Sequence, residues 1–248
     1  MKSYLIGHSV ISMSGLEEFF ADRGMKWAPE GHDVDLLPEF YGRLCYMSFD
    51  GTDNKNITKM REGNQAYLDN ILKVGHGSVL EHSSFNFVFT DVSRVLTHEL
   101  VRHRQGTAIS QESGRYIRSG ADRIEGMFIP PELKDNPVFA SSMGKVIEAN
   151  EEFQAELDKM CETAGMHEKK QLTSAGRRLM PIGMRNTIGW TCNARTLRFV
   201  LQQRTDPAAE VEIRTLFNMV YDQVKHLNCM KCETEEHNGL LWIKGGKV

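Results

Sequence analysis

The stretch at residues 85–104 constrains the fold most, because it combines a strand signal, a helix start and a charged helix end. The run FNFVF at residues 85–89 alternates aromatic residues with others, which indicates a strand with one apolar face. Ser93 then has the character of an N-cap residue. The helix after it has one apolar face, formed by Val95, Leu96 and Leu100, and one polar face, formed by His98, Glu99, Arg102 and His103. We therefore predict a strand and a helix that ends on the RHR triplet at residues 102–104.

Helix and strand signals alternate along the rest of the chain. Helices are predicted at residues 15–23, 64–74, 137–164, 167–180, 193–204 and 207–226. Another helix is predicted to begin at Ser78, because Ser78 and Glu81 have the spacing of a capping box. Strands are predicted at residues 4–6 and 187–192, whereas residues 29–38 and part of the tail after residue 226 are predicted to be irregular.

The helix predicted at residues 193–204 carries several cations. Asn193 is its expected N-cap, and Leu197, Val200 and Leu201 form its apolar face. We expect the polar face to hold three arginines: Arg195, Arg198 and Arg204.

Length and charge limit the kinds of protein that this chain can be. Its 248 residues are enough for one large domain or two small ones, and without repeats or a linker we predict a single domain over residues 1–248. With 30 Lys and Arg against 33 Asp and Glu, a general nucleic-acid binder is disfavoured. The N-terminus lacks a signal-peptide pattern, and no segment approaches the ~20 apolar residues of a membrane span. We expect a soluble cytoplasmic protein, or one of the host cytoplasm if it is viral.

The five cysteines indicate a reducing compartment, because their number is odd and their density is low. Only Cys229 and Cys232 form a C-x-x-C pair, and His237 is the one nearby candidate for a third zinc ligand. We therefore expect ordinary thiols and no metal. No cysteine lies in a motif that would activate it as a nucleophile.

Residues 102–116, RHRQGTAISQESGRY, concentrate fixed positive charge and short hydrogen-bond donors. A guanidinium stays charged and can bind phosphate oxygens through two parallel hydrogen bonds, while Ser113 and Gly114 allow the backbone to approach a ligand closely. This composition favours an anion-binding site. The alternative is that Arg102 and Arg104 only stabilise a helix C-terminus through its dipole.

The stretch resembles the signature of the flavin-dependent thymidylate synthases, in which seven residues separate an RHR triplet from a serine; here eight residues separate Arg104 from Ser113. Three further features resemble the same family: THELVRHR at residues 97–104, GHGSVLEH at residues 75–82, and a C-terminal block with Arg177 four residues before Pro181, NAR at residues 193–195, and Arg204. The chain is identified on these motifs as a member of that family.

The resemblance implies an α/β (α+β) fold with a mixed or antiparallel sheet flanked by long helices. It also implies a homotetramer with active sites shared between subunits, and FAD as cofactor. It implies dUMP as substrate, with methylenetetrahydrofolate and NADPH as cosubstrates, and no role for nucleic acid or a membrane. The FAD-binding residues carried over from the family are Ser78, Arg102, His103, Arg104, Gln111, Asn193 and Arg195. Those for dUMP are Glu99, Arg102, Gln111, Glu112, Ser113, Gly114, Arg115, Arg177 and Arg204, of which Arg204 is the expected catalytic residue.

The implied reaction replaces the cysteine nucleophile of the classical enzyme with flavin chemistry. The methylene group would reach uracil C5 by way of the flavin, and Arg204 would stabilise negative charge on the pyrimidine. Two alternatives stay open at this point. A related flavoprotein could release a hydroxymethyl-pyrimidine nucleotide, or the basic cluster could bind nucleic acid without catalysis.

Overall fold

The computed structural model describes residues 1–57, 60–117 and 120–245, and within them helices and strands alternate along the chain. The helices are α1 (Met13–Arg23), α2 (Asp33–Tyr46), α3 (Asn64–Val74), α4 (Arg94–Leu100), α5 (Ala121–Glu125), α6 (Pro137–Thr163), α7 (Met166–Gly176), α8 (Ala194–Arg204) and α9 (Val211–Val224). The strands are β1 (Lys2–His8), β2 (Ser84–Ser93), β3 (Thr107–Gln111), β4 (Arg185–Asn193), β5 (Glu233–His237) and β6 (Leu240–Lys244). Short 3-10 helices span Gly77–His82, Pro131–Leu133, Arg177–Leu179 and Asn228–Met230.

Four strands form one sheet in the order β1-β2-β4-β3. Its strands are antiparallel, because the bonded partners run in opposite directions: Ser9 N donates to Ser84 O, Ala194 N to Ser83 O, Asn193 N to Gly106 O and Glu112 N to Thr187 O. The predicted strand at residues 85–89 is confirmed, with Phe85, Phe87 and Phe89 at most 1% exposed on one face. A separate antiparallel hairpin joins β5 to β6.

The chain divides into two compact units, and each strand of the sheet contributes residues to both. The first unit comprises Met1–Tyr4, Val88–His103 and Ile109–Trp190. Here α6 confirms the predicted long helix, and it packs against α5 and α7. A Cβ on Gly176 would lie 2.4 Å from Leu157 Cδ1, so a larger residue where α7 meets α6 would have to displace that side chain.

The second unit comprises Leu5–Phe87, Arg104–Ala108 and Thr191–Val248. In it α2 packs against α3 and the 3-10 helix Gly77–His82, and α8 packs against that same 3-10 helix, α9 and β6. An aromatic cluster around Phe20 and Phe49 stabilises the first two helices. The prediction of a single domain over residues 1–248 stays a prediction.

Several local predictions are wrong. Residues 33–38 are the first part of α2, which contains Pro38 within its first two turns. Ser78 does not cap an α-helix; the segment forms a 3-10 helix without a side-chain cap. The last helix begins at Val211, after an N-cap at Glu210, and not at residue 207. The tail, predicted to be partly irregular, contains the β5–β6 hairpin, which was not predicted. Its Asn238-Gly239 turn has φ angles of 53° and 76°, and that dipeptide is the signal that could have predicted the hairpin.

The helices combined with an antiparallel sheet confirm the coarse fold class predicted from the sequence. Within the part of the chain that the structure describes, none of the helices is both long enough and apolar enough to cross a bilayer.

Candidate active site

The first turn of α8 carries two of the predicted cofactor-binding residues. Asn193 is the N-cap, as predicted, and its Oδ1 accepts a hydrogen bond from Thr196 N at 2.8 Å. Arg195 Nη1 lies 2.7 Å from Oε1 of Glu81 in the 3-10 helix Gly77–His82. The two side chains are 42% and 47% exposed, so this ion pair contributes little to stability. It orients Arg195 while leaving the guanidinium accessible to a ligand.

A cavity of about 400 Å³ opens beside this turn and is lined by both Ser78 and Arg195. The other lining residues come from α2, from α3 and from the segment at residues 75–79. A hydroxyl and a guanidinium on one cavity wall are hydrogen-bond donors suited to phosphate or carbonyl oxygens. This donor set fits FAD, whose diphosphate and ring carbonyls are acceptors.

Arg204, the predicted catalytic residue, is the last residue of α8 and is partly buried. Nine residues along a helix correspond to about 13 Å, so Arg204 and Arg195 lie at opposite ends of α8. The structure therefore brings Ser78 and Arg195 together and keeps Arg204 apart from them.

The RHR triplet follows α4. Ser93 caps α4 as predicted, because its Oγ accepts a hydrogen bond from Leu96 N at 3.0 Å. The helix ends at Leu100, and Arg102 N then donates to Glu99 O at 3.3 Å in a tighter turn. Arg102 and Arg104 are exposed, while His103 is partly buried. The guanidinium groups of Arg102 and Arg104 therefore lie on a turn beyond the helix, where a ligand can reach them.

Gln111 ends β3 with its amide group held in one orientation. Its Nε2 donates to Thr97 Oγ1 at 3.0 Å and to Asn186 Oδ1 at 3.1 Å. These two bonds use both amide hydrogens, so the carbonyl oxygen of Gln111 is left to accept a hydrogen bond. The side chain is thus arranged as an acceptor.

The residues after β3 form a tight turn. Ser113 Oγ accepts from Arg115 N at 3.3 Å, and Ser113 O accepts from Tyr116 N at 3.1 Å. Arg115 is exposed, whereas Glu112 is ion-paired with Arg123. The carboxylate of Glu112 therefore anchors the turn.

Gly114 brings this turn against Arg177. A Cβ at residue 114 would lie 3.0 Å from Arg177 Cδ and 3.8 Å from Nη2 of Arg94. Arg177 Nη2 also donates to Ser174 Oγ at 3.0 Å. Two guanidinium-bearing side chains next to a glycine backbone form a surface suited to phosphate.

Burial makes three of the five cysteines poor nucleophiles. Burial raises the pKa of Cys192 and of Cys229 well above the ordinary thiol value, and it raises the pKa of Cys232. These three side chains are therefore protonated thiols at neutral pH.

Four residues that the sequence reasoning did not select contact the predicted site. They are Glu81, which pairs with Arg195; Thr196, at the first turn of α8; Asn186, which orients Gln111; and Arg94, beside Gly114. Glu81 carries a detectable signal, because it lies in GHGSVLEH, but the capping-box interpretation assigned it another role. The other three are not distinguishable in sequence from ordinary strand or helix residues.

Solved structures show which class of protein shares this fold. A flavin-dependent thymidylate synthase from Helicobacter pylori, complexed with FAD and dUMP, aligns with a TM-score of 0.60 and 20% identity over 93% of this chain and 98% of that chain. A UMP/dUMP methylase from Streptomyces cacaoi bound with 5-Br dUMP aligns with a TM-score of 0.61 and 19% identity over 93% of both chains. This chain thus has the fold of these two proteins.

Sequence comparison gives the family. The chain belongs to the Thy1 family, described as thymidylate synthase complementing protein, whose family model matches residues 31–227. The flavin-dependent thymidylate synthase of Mycobacterium avium is 33% identical over 205 residues, which are 80% of this chain and 78% of that protein. The family identification made from the motifs is confirmed.

Proposed function

We propose that the chain converts dUMP to dTMP, with FAD as cofactor, methylenetetrahydrofolate as carbon donor and NADPH as reductant. The family match carries this conclusion, because residues 31–227 include every site residue inferred from the motifs. Relatives named flavin-dependent thymidylate synthase support it, and the Helicobacter pylori neighbour was solved with FAD and dUMP bound. Neither a hydroxymethylating enzyme nor a nucleic-acid-binding protein is favoured by these relatives.

FAD is held by donors from several segments in this proposal. Ser78, Arg195 and Asn193 bind it at the cavity and the first turn of α8, and the triplet at residues 102–104 supplies charge. Gln111 presents an acceptor oxygen, which suits a ring N–H group. When bound and reduced, the flavin supplies the hydride for the new methyl group.

The turn at residues 112–116 binds dUMP in the same proposal. Ser113, the Gly114 backbone and Arg115 approach its phosphate together with Arg177, because these groups are exposed donors or lie beside the glycine. Glu99 and Arg102 complete the nucleotide site. Glu112 acts through its ion pair with Arg123, which fixes the turn.

Arg204 is the proposed catalytic residue. Burial keeps the thiols of Cys192 and Cys229 protonated, and none of the cysteines lies in a motif that would activate it, so we assign the stabilisation of negative charge on the pyrimidine to a cation. A fixed guanidinium is suited to that task, and such an electrostatic contribution is typically worth a few kcal/mol.

We also propose that the protein is a homotetramer whose active sites are shared between subunits, and that it lies in the cytoplasm. Large exposed apolar side chains support association: Ile6, Val138, Met166 and Ile182 are 68%, 73%, 78% and 57% exposed. Five free cysteines suit a reducing compartment.

Sedimentation should give four times the 28.2 kDa chain mass. Mixing inactive Ser78→Ala and Arg204→Ala variants should restore activity if sites are shared, and a fully active monomer would exclude this arrangement.

The deciding experiment is product analysis. The protein is incubated with dUMP, methylenetetrahydrofolate, NADPH and FAD, with separate controls that omit FAD or NADPH. We expect dTMP and tetrahydrofolate in the complete mixture only. Hydroxymethyl-dUMP as the product would contradict the proposal, and so would a colourless protein that binds DNA with a steep salt dependence.

A further inference from the structure

The two residues that follow Arg104 are fastened to the first turn of α8. Thr196 Oγ1 donates a hydrogen bond to Gln105 O at 2.9 Å. Asn193 N donates to Gly106 O at 3.1 Å. The same turn carries the Asn193 cap and Arg195. Backbone that would otherwise lead away from Arg104 is thus bonded directly to the element that carries two other proposed flavin ligands.

Gly106 makes this close approach possible. Its φ angle is +65°, in the left-handed region that favours glycine. A Cβ at this position would lie 2.5 Å from Asn193 Nδ2 and 2.6 Å from Thr196 Oγ1. Any other residue would therefore be strained and would displace both side chains that line the contact.

One capping hydrogen bond and one ion pair fix the rest of the turn. The Asn193 side chain caps the helix through Thr196 N, and Glu81 orients Arg195. Arg104 is consequently tied to the turn that carries Asn193 and Arg195 through the backbone carbonyls of the next two residues, Gln105 and Gly106. This fastening lies within the eight-residue segment between Arg104 and Ser113, where added chain length would otherwise loosen the position of Arg104.

We propose that Thr196 and Gly106 are positioning residues of the flavin site. They hold the backbone at Arg104 against the first turn of α8, so that FAD meets donors whose relative positions are already set. The inference rests on the proposed function, in which Arg104, Asn193 and Arg195 bind FAD. Neither Thr196 nor Gly106 needs to contact the cofactor.

The test titrates FAD into full-length protein after its flavin has been removed, with flavin fluorescence as the signal. Thr196→Val keeps the side-chain shape and removes the hydroxyl, so FAD affinity should fall roughly fivefold, as expected for one lost hydrogen bond. Thr196→Ser should restore affinity to within about twofold, because it returns the donor. The KM for dUMP, measured at saturating FAD, should not change. Gly106→Ala should weaken FAD binding by more than about twentyfold, because it adds both a collision and backbone strain.

Thr191→Val is the matched control. The Thr191 hydroxyl also donates one hydrogen bond to a residue distant in sequence, Asn86 Oδ1 at 3.0 Å, whereas the Thr196 hydroxyl donates to Gln105 O. This variant should lose a similar amount of thermal stability while binding FAD normally.

Three outcomes separate the inference from the proposed function. If Thr196→Val binds FAD like the wild type while Arg104→Ala does not, the positioning role is wrong and the flavin site stands. Equal weakening in Thr196→Val and Thr191→Val would show general destabilisation and would also overturn it. Normal FAD binding by Arg104→Ala would remove the proposed flavin role of that arginine, and the positioning role with it.

Discussion

Two arginines of α8 serve different purposes. Arg195 and Arg198 are one helical turn apart, yet Arg198 is 2% exposed whereas the Arg195 side chain is 42% exposed. Arg198 donates to the carbonyl oxygens of Cys229, Lys231 and Gly245 at 2.9, 2.7 and 2.8 Å. Arg195 has a carboxylate partner at the cavity. The prediction that Arg198 lies on the exposed polar face of α8 is therefore wrong.

The difference shows how burial decides what an arginine does. A buried guanidinium must satisfy its donors with protein acceptors, and removing it leaves those acceptors without partners. Arg198 thus connects α8 to the segment after α9 and to the end of β6. The ion pair of Arg195 is exposed and contributes little to stability. A ligand can reach this guanidinium, so Arg195 is suited to bind one. Substitutions along one helix should therefore separate stability from cofactor binding and from turnover.

The largest expected effect is on stability, at Arg198. Arg198→Ala removes three charge-assisted hydrogen bonds, and we expect the free energy of unfolding to fall by on the order of 4 kcal/mol in urea denaturation. Arg195→Ala is the matched control and should change it by less than about 1 kcal/mol. Equal losses of unfolding free energy in the two variants would show that the two arginines do not differ in their contribution to stability.

The next effect is on turnover, at Arg204. Arg204→Ala should lower kcat by roughly a hundredfold or more, because its charge is proposed to act on the pyrimidine. Bound FAD, measured by absorbance, and stability should stay close to the wild type. Arg204→Lys keeps the charge and should recover part of the activity. Loss of flavin in parallel with activity would instead assign Arg204 to the cofactor.

A smaller effect is expected on cofactor affinity, at Arg195. Arg195→Ala should weaken FAD binding by about tenfold, as expected for one charge-assisted hydrogen bond. Glu81→Gln removes the carboxylate that orients Arg195 but keeps the size of the side chain. This variant should therefore also weaken FAD binding, by less than Arg195→Ala does. Both are measured by fluorescence titration. Unchanged affinity in Arg195→Ala would leave the exposed face of α8 without its proposed function.

The smallest effect is a pH dependence at the 3-10 helix that carries Glu81. His82 stacks on Tyr41 with ring centroids 3.7 Å apart, and burial lowers the pKa of His82 while the Glu81 carboxylate acts in the opposite direction. The unfolded chain therefore binds a proton more readily than the folded chain. This contribution to stability is present above the unfolded pKa of about 6.5 and is lost as the pH falls from that value through the lower pKa of the folded state.

His82→Phe keeps an aromatic ring and cannot be protonated. We therefore expect the thermal unfolding temperature of this variant to fall less than that of the wild type when the pH is lowered from about 8 to about 5. The variant Tyr41→Phe, which keeps the stack, should retain the wild-type slope. Identical slopes for wild type and His82→Phe would mean that other groups set the acid response.

Local patterns in the sequence predicted much of the fold and the candidate site. The alternation in β2, the Ser93 and Asn193 caps and the long helix α6 depend on neighbouring residues, so periodicity and capping chemistry were sufficient to find them. The motifs also identified the family, since RHR, GHGSVLEH and NAR are contiguous. By contrast, the capping-box interpretation of Ser78 was wrong, because a spacing alone does not specify whether the turn becomes α or 3-10.

Only the tertiary structure decided contacts between distant residues. The burial of Arg198 depends on carbonyls 31 to 47 positions away, and the orientation of Gln111 depends on Asn186, 75 positions away. The need for glycine at residue 106 appears only when β3 begins beside the first turn of α8. The sequence by itself determined which residues can donate, cap or alternate, because those are properties of a residue and its neighbours. Which arginine is structural and which can meet a ligand was decided by packing, because burial is a property of the whole fold.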